Sequence, residues 1–185
     1  MTAEVHVPDR LQPVLTALRD RFDWLGSAEI SGHRGEVTVE LPRERLVEVA
    51  EFLRDDEATR FEHLSDLSGT DYPHRPDRLC VDYHLYSFEH NVRLRLKVRV
   101  TVEDAHVPTV TGVWPTADFH EREVYDFFGV RFDGHPNLIR ILMPEDWQGY
   151  PLRKDYPLGG VDVDYKGVHI TPPETRTYKG GWTSR

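Results

Sequence analysis

Apolar and polar positions recur with two different periods along this chain, and each change of period marks an element. Leu11, Val14, Leu15, Leu18, Phe22 and Leu25 fall at helical spacing. That predicts an amphipathic helix over residues 9–25, with Pro13 confined to its first turn. Residues 26–35 read as a short strand and a turn. From Glu36 the period drops to two. Val37, Val39 and Leu41 line one face and Glu36, Thr38 and Glu40 the other, a strand with one wet face. Pro42 opens a second helix with the stripe Leu46, Val49, Ala50 and Leu53. Asp55 and Asp56 suit a helix C-terminus badly, which places its end near Arg54.

Residues 60–73 read as another short strand and turn. RLCVDYHLYSF then alternates Leu79, Val81, Tyr83 and Leu85 against Cys80, Asp82, His84 and Tyr86. After the turn EHN, NVRLRLKVRVTV sets Val92, Leu94, Leu96, Val98, Val100 and Val102 against Arg93, Arg95, Lys97 and Arg99. Two such runs joined by a short polar link predict an antiparallel hairpin. The basic row admits an anion- or nucleic-acid-binding reading. It also admits pairing across the sheet with Asp82 and with Glu36 or Glu40, and the latter is the better account.

The stretch HEREVYDFFG, residues 120–129, concentrates three carboxylates, an arginine and three aromatics. Asp118 and Glu121 have capping-box spacing and Gly129 is a natural stop, so a helix from Phe119 to Phe128 is expected. Val124, Phe127 and Phe128, with His120, should face the core, and Arg122, Glu123 and Asp126 should lie on another side. Catalysis by Glu121, Glu123 and Asp126 would need a cleft and a second positioned group, and the chain offers no evident nucleophile–base pair. Asp126 sits in the last turn, where the helix dipole disfavours an acid. It therefore calls for a strong partner, either Arg140 or a base on another chain.

Downstream, residues 130–160 hold no long periodic element. They contain a Gly-His-Pro turn, an apolar run Leu138–Met143, a single helical turn at Pro144–Trp147 and the Pro-bracketed charges of PLRKDYP. The tail that follows is rich in Gly, Pro, Thr and Tyr. Its spaced residues Tyr165, Ile170, Tyr178 and Trp182 suggest an arm that orders on a partner. The architecture expected is α+β: a small domain with a mainly antiparallel or mixed sheet and two helices on one face, plus a third short helix. The globular domain should span 1–143 and an extended C-terminal arm 144–185.

Composition narrows the function classes. The 185 residues carry a formal net charge of −9, which argues against nucleic acid as a partner. No apolar run approaches 18 residues, and the N-terminal residues lack the apolar stretch of a secretory signal. The single cysteine, Cys80, excludes an internal disulfide and a self-contained iron–sulfur site. It reads as a partly buried strand residue rather than a nucleophile. The ten histidines form no close pair suited to a metal, and no dinucleotide or P-loop pattern is present.

One stretch is more specific. Glu121, Arg122, Glu123, Asp126, Gly129, Phe132, Gly134, His135, Pro136, Leu138, Arg140, Ile141 and Leu142 are followed by Gly149, Pro151, Leu152, Arg153, Lys154, Asp155 and Pro157. This order closely resembles the signature of the 30-kDa-type (C-type) subunit family of respiratory NADH–quinone oxidoreductase, complex I. The order of helices and strands upstream is also similar. The resemblance implies a component of the hydrophilic arm on the cytoplasmic side of the cell membrane, a peripheral membrane protein without a cofactor of its own. It would pack on the large 49-kDa-type (D-type) subunit that helps form the quinone site, with the B- and I-type iron–sulfur subunits adjacent. The whole complex passes electrons from NADH through FMN and iron–sulfur clusters to quinone, coupled to proton translocation. On this reading Glu121, Arg122, Glu123, Asp126, Gly129, Gly134, His135, Pro136, Arg140, Pro151, Arg153, Lys154 and Asp155 form a charged, hydrogen-bonded interface with a neighbouring chain. The resemblance also admits an alternative, the equivalent subunit of a membrane-bound hydrogenase-type complex. A stand-alone carboxylate-dependent hydrolase is the reading from another class.

Overall fold

The structure is a computed structural model that describes residues 7–26, 30–33, 35–157, 163–165 and 168–170. The two alternating runs form the expected hairpin. Strands β4 (Leu79–Ser87) and β5 (Val92–Val100) pair antiparallel from Leu79↔Val100 to Ser87↔Val92. Asn91, at φ 51°, turns the chain between them. Around this hairpin β1 (Ile30–His33), β2 (Glu36–Glu40) and β3 (His63–Asp71) complete a five-stranded sheet of order β1-β2-β5-β4-β3. Only β2 and β5 run parallel, so the sheet is mixed. β3 is longer than the short strand expected, because it finds partners on β4 along nearly its whole length.

The apolar face of the sheet carries Val37, Val39, Leu79, Val81, Tyr83, Leu85, Leu94, Leu96 and Val98, all buried. The stripes of helices α1 (Gln12–Arg21) and α2 (Leu46–Asp55) join the same cluster, where Phe22 meets Phe52 edge-on at 5.4 Å. α1 is shorter than its apolar stripe. A 3-10 turn at Asp9–Leu11 precedes it, and Phe22 leaves helical geometry while still burying its ring. Leu25 is buried from the chain beyond. α2 runs to Asp55, one residue further than expected. The Arg54 guanidinium grips the Asp55 carboxylate at 2.6 Å and offsets an acid at the negative end of the helix.

The basic row on β5 is occupied within the sheet. Lys97 lies 3.2 Å and Arg95 3.9 Å from Asp82, and Arg99 donates to Glu40 at 2.9 Å. Arg95 also donates to Thr38, which is buried, so the wet face is closed at its centre. Glu36 takes no part among the described ion pairs. These pairings leave a mostly neutralised face, poorly suited to capturing an anion. Cys80 is buried, and burial pushes its thiol up to about 12, wrong for a nucleophile.

The second unit positions the candidate site. Strands β6 (His106–Pro108) and β7 (Arg131–Asp133) run parallel, and helix α3 (Ala117–Phe128) is the crossover between them. α3 packs along β3, where Gly69 lets the Phe128 ring lie against the strand: a Cβ there would overlap the ring. The buried Trp114 indole donates to the Phe61 carbonyl at 2.9 Å and ties the start of this crossover to the sheet. Farther on, β8 (Val163–Tyr165) and β9 (Val168–Ile170) pair antiparallel. The anticipated anchors Tyr178 and Trp182 lie outside the described residues. Among the described residues no helix is long and apolar enough to cross a membrane.

Candidate functional site

α3 begins two residues earlier than its capping pattern suggests. Thr116, not Asp118, precedes it, and no side chain caps the first turn. Glu121 therefore does not reach back along its own helix. It is fully buried and points to the end of β6, where the Thr109 hydroxyl donates at 2.5 Å and the Val110 N–H at 2.8 Å. The crossover topology makes this meeting: the exit of β6 and the exit of β7 both lie beside the first turns of α3. From the β7 side comes His135, whose side chain has no exposed surface. Its Nε2 donates to the Asp118 carbonyl at 3.1 Å, and its Nδ1 accepts from the Asn137 N–H at 3.0 Å. A carbonyl only accepts and an amide N–H only donates, so the ring is the neutral Nε2–H tautomer. Burial pushes the Glu121 carboxyl up to about 7, against the pull of its two hydrogen bonds.

Asp126, expected on a different side of the helix from the core residues, is completely buried. Its Oδ2 accepts from three successive backbone N–H groups, Ile141 at 3.1 Å, Leu142 at 2.8 Å and Met143 at 2.8 Å. Arg140 donates to Oδ1 at 2.7 Å, which makes it the partner the position demanded. Burial alone would raise this carboxyl. The Met143 N–H, Arg140 and the other two amides outweigh burial and hold it below the usual carboxylate range. The other arm of Arg140 donates to the carbonyls of Trp147 and Gly149, each at 3.0 Å. One side chain thus joins α3 to the loop at 147–149.

The Pro-bracketed charges fold back onto the domain in the same manner. Arg153 donates to the Phe128 carbonyl at 2.6 Å, at the helix C-terminus. The guanidinium groups of Arg140, 5.5 Å away, and Arg153, 4.6 Å away, both lie over the Tyr150 ring. The Lys154 N–H donates to Asp71 at 2.7 Å. Asp71 is buried and clasped by both arms of Arg78, which reaches Asp155 as well at 3.0 Å. Gly129 sits at φ 72° as the left-handed stop expected, beneath Tyr150 and Arg153. The stretch expected to leave the domain at 144 thus stays bonded to it through Asp155.

This frame is shared with known proteins. A family described as "Respiratory-chain NADH dehydrogenase, 30 Kd subunit" matches residues 39–162. The chain belongs to that family. The C-type subunit of NADH-quinone oxidoreductase from Mycolicibacterium gilvum (strain PYR-GCK) is 57% identical over 145 residues, covering 78% of this chain and 64% of the relative. That of Nocardioides sp. (strain ATCC BAA-499 / JS614) is 57% identical over 145 residues, 78% of this chain and 58% of the relative. The match therefore spans less than two thirds of these relatives' length. Among solved structures, the trypsin-resistant fragment (1–134) of Nqo5 is 40% identical, with a TM-score of 0.54 over 70% of this chain and 99% of the fragment. A chain of the membrane-bound sulfane sulfur reductase, an archaeal respiratory membrane complex, shares the fold: TM-score 0.69, 21% identity, 81% of this chain and 87% of that one.

In this member of the 30-kDa family the signature residues are largely engaged within the chain. Arg122 donates to the carbonyls of Ile139 and Arg140 at 3.2 and 3.3 Å. Gly134 supplies a turn at φ 83°, Pro136 is exposed beside His135, and Pro151 is half-buried. Glu123, the side chain of Lys154 and that of Asp155 remain exposed. His120 stays half-exposed near Asp66 instead of joining the core. The three carboxylates do not converge: Glu121 turns to β6, Asp126 to residues 141–143, and Glu123 to solvent. Beside these charges the fold also leaves apolar side chains outward. Phe119 is 61% exposed, Ile139 49% and Leu142 60%, with Ile141 and Leu152 exposed beside them. Phe119 stands on α3 and the other four come from chain bonded alongside it, and Arg122 lies over the Phe119 ring while bonding the Ile139 carbonyl. Sequence reasoning missed this ridge, and it missed Thr109, Asp71 and Arg78. The available signal was the apolar run Leu138–Met143 itself, too rich for a loop and without a period that would place it in the core.

Proposed function

We propose that this chain is a structural subunit of NADH–quinone oxidoreductase, holding no redox group itself. It docks on and supports the large 49-kDa-type subunit in the hydrophilic arm, at the cytoplasmic side of the cell membrane, as a peripheral membrane protein. The B- and I-type iron–sulfur subunits are its further neighbours, and the arm beyond residue 157 runs over the partner. The complex carries electrons from NADH through FMN and iron–sulfur clusters to quinone and couples this to proton translocation. Family membership and the names of the relatives support the reading.

One observation carries the docking surface. The motif's charges are largely engaged inside the chain, and a group of apolar side chains remains outward beside them. A hydrogen-bonded layer that exposes Phe119, Ile139, Ile141, Leu142 and Leu152 suits burial against another protein. The expected charged interface is thereby recast: Asp126, Arg140 and Arg153 build the layer, and the ridge meets the partner. These Ile and Leu side chains are already about half buried, so completing their burial on docking contributes roughly half of the 1.5–3 kcal/mol that a fully exposed side chain would gain. The likeness to the sulfane sulfur reductase chain is one of fold, and favours no hydrogenase-type complex over this assignment.

The test is co-expression with the 49-kDa-type subunit from the same organism. The wild-type chain should co-purify, and the double substitution Ile139→Asp, Leu142→Asp should lower recovery at least tenfold while the chain alone keeps its fold by circular dichroism. Undiminished co-purification of the double variant would remove the ridge from the interface. Failure of the wild-type chain to bind would remove the assignment to this complex.

A further inference from the structure

Asp126 and Asp71 are buried carboxylates fastened by arginines. Glu121 is built differently. Among the described residues no Lys or Arg lies within ion-pair distance of its carboxylate, and His135 Nε2, 3.9 Å away, belongs to a neutral ring. The titratable groups that face it are Asp118 on its own helix, His135 from the turn after β7 and Tyr83 on β4. None is a cation in this arrangement. Protonating His135 would place a proton on Nδ1 and break its bond from the Asn137 N–H. The Tyr83 hydroxyl is buried without a hydrogen-bond partner, and the buried Asp118 Oδ1 has only the His135 Nε2, 3.4 Å away and already donating to the Asp118 carbonyl. The surroundings therefore do not offset a negative charge at position 121.

The hydrogen bonds that do reach Glu121 suit both of its protonation states. Thr109 Oγ1 lies 2.5 Å from Glu121 Oε2 and 2.9 Å from Thr111 Oγ1, and in the second contact either oxygen can donate. With Glu121 ionised, the Thr111 hydroxyl donates to Thr109 and the Thr109 hydroxyl to the carboxylate. With Glu121 protonated, both bonds reverse: the carboxyl O–H donates to Thr109 and the Thr109 hydroxyl to Thr111. The Val110 N–H stays on Oε1 in either state. Thr111 is a half-exposed residue, so the chain of hydroxyls leads from the buried carboxyl toward the surface. We propose that Glu121 is a reversible proton-binding site, wired toward the surface through the hydroxyls of Thr109 and Thr111. A carboxylate that served only as a pin would need no reversible donor chain, as the arginine-held Asp126 in the same helix illustrates.

The test is carbon-13 NMR of the glutamate side-chain carboxyls in the full chain across neutral pH. One resonance should titrate with a midpoint near about 7 and be absent from Glu121→Gln. Thr109→Val removes a bond made in both states, and because the charge-assisted bond to the ionised form is the stronger of the two, the midpoint should move upward. Thr109→Ser keeps the hydroxyl and should leave it in place. If every wild-type glutamate titrates in the ordinary carboxylate range, the proposal fails, whatever the variants do. It also fails if folded Thr109→Val leaves the midpoint where it was.

Discussion

Asp126 and Glu121 stand five positions apart on α3, both without exposed surface, and their surroundings push them in opposite directions. Asp126 has its carboxyl lowered, so its contribution to stability is present above the usual aspartate range and is lost as pH falls through the lowered value. Asp126→Ala leaves Arg140 and three backbone N–H groups without their acceptor. It should cost about 3–5 kcal/mol, read as a fall in the denaturation midpoint. Glu121 has its carboxyl raised from 4.5 to about 7. Its contribution is greatest below 4.5 and is lost as pH rises toward 7, a change on the order of 3 kcal/mol. Thermal unfolding of the wild-type chain should therefore show a decline from pH 5 to pH 8 that Glu121→Gln lacks. Of these two sites, sequence reasoning reached the Asp126–Arg140 pair, because an acid in a last helical turn demands a cation. It misread Glu121, because the partners at Thr109 and Val110 come from another strand and no local spacing announces them.

The elements themselves were legible wherever their pattern was periodic. The two runs of β4 and β5 alternate without a break, and their pairing follows from the short link between them. The stripes of α1 and α2 name residues that are buried, although α1 stops before its stripe does because Phe22 and Leu25 reach the core from extended chain. The start of α3 was misplaced because Asp118 and Glu121 mimic a capping box, while the helix is entered from the Trp114 anchor upstream. The close approach of α3 to β3 could not be read from either segment alone. It rests on Gly69, which gives room to the Phe128 ring. Gly69→Ala should cost about 1–3 kcal/mol through overpacking, with β4 and β5 retaining their amide protection while α3 loses its own. Hydrogen exchange resolved by residue measures both.

For the whole molecule, the α+β class and mixed sheet were accessible from the order of periods, and the family from the motif. The parallel pairing of β2 with β5 was not, since nothing in an alternating strand states its neighbour's direction. The ridge was hidden for a related reason: apolar residues in an aperiodic segment carry no sign of the face they will show. If that ridge docks on the partner, raising salt from low to physiological strength should change co-purification little. A charged interface would weaken several-fold over the same range. Recovery measured at two salt concentrations separates them.

Residues 134–157 are held to α3 and β3 mainly by side-chain-to-backbone bonds, of Arg140, Arg153 and Asp71 among them, and they add few side chains to the apolar core. Such a layer can come loose on its own, at denaturant or acid levels the sheet tolerates. A preparation could then give a sound spectroscopic signature and still be unable to assemble, so the state of this layer, rather than the bulk secondary structure, is the quality standard to apply before any binding measurement.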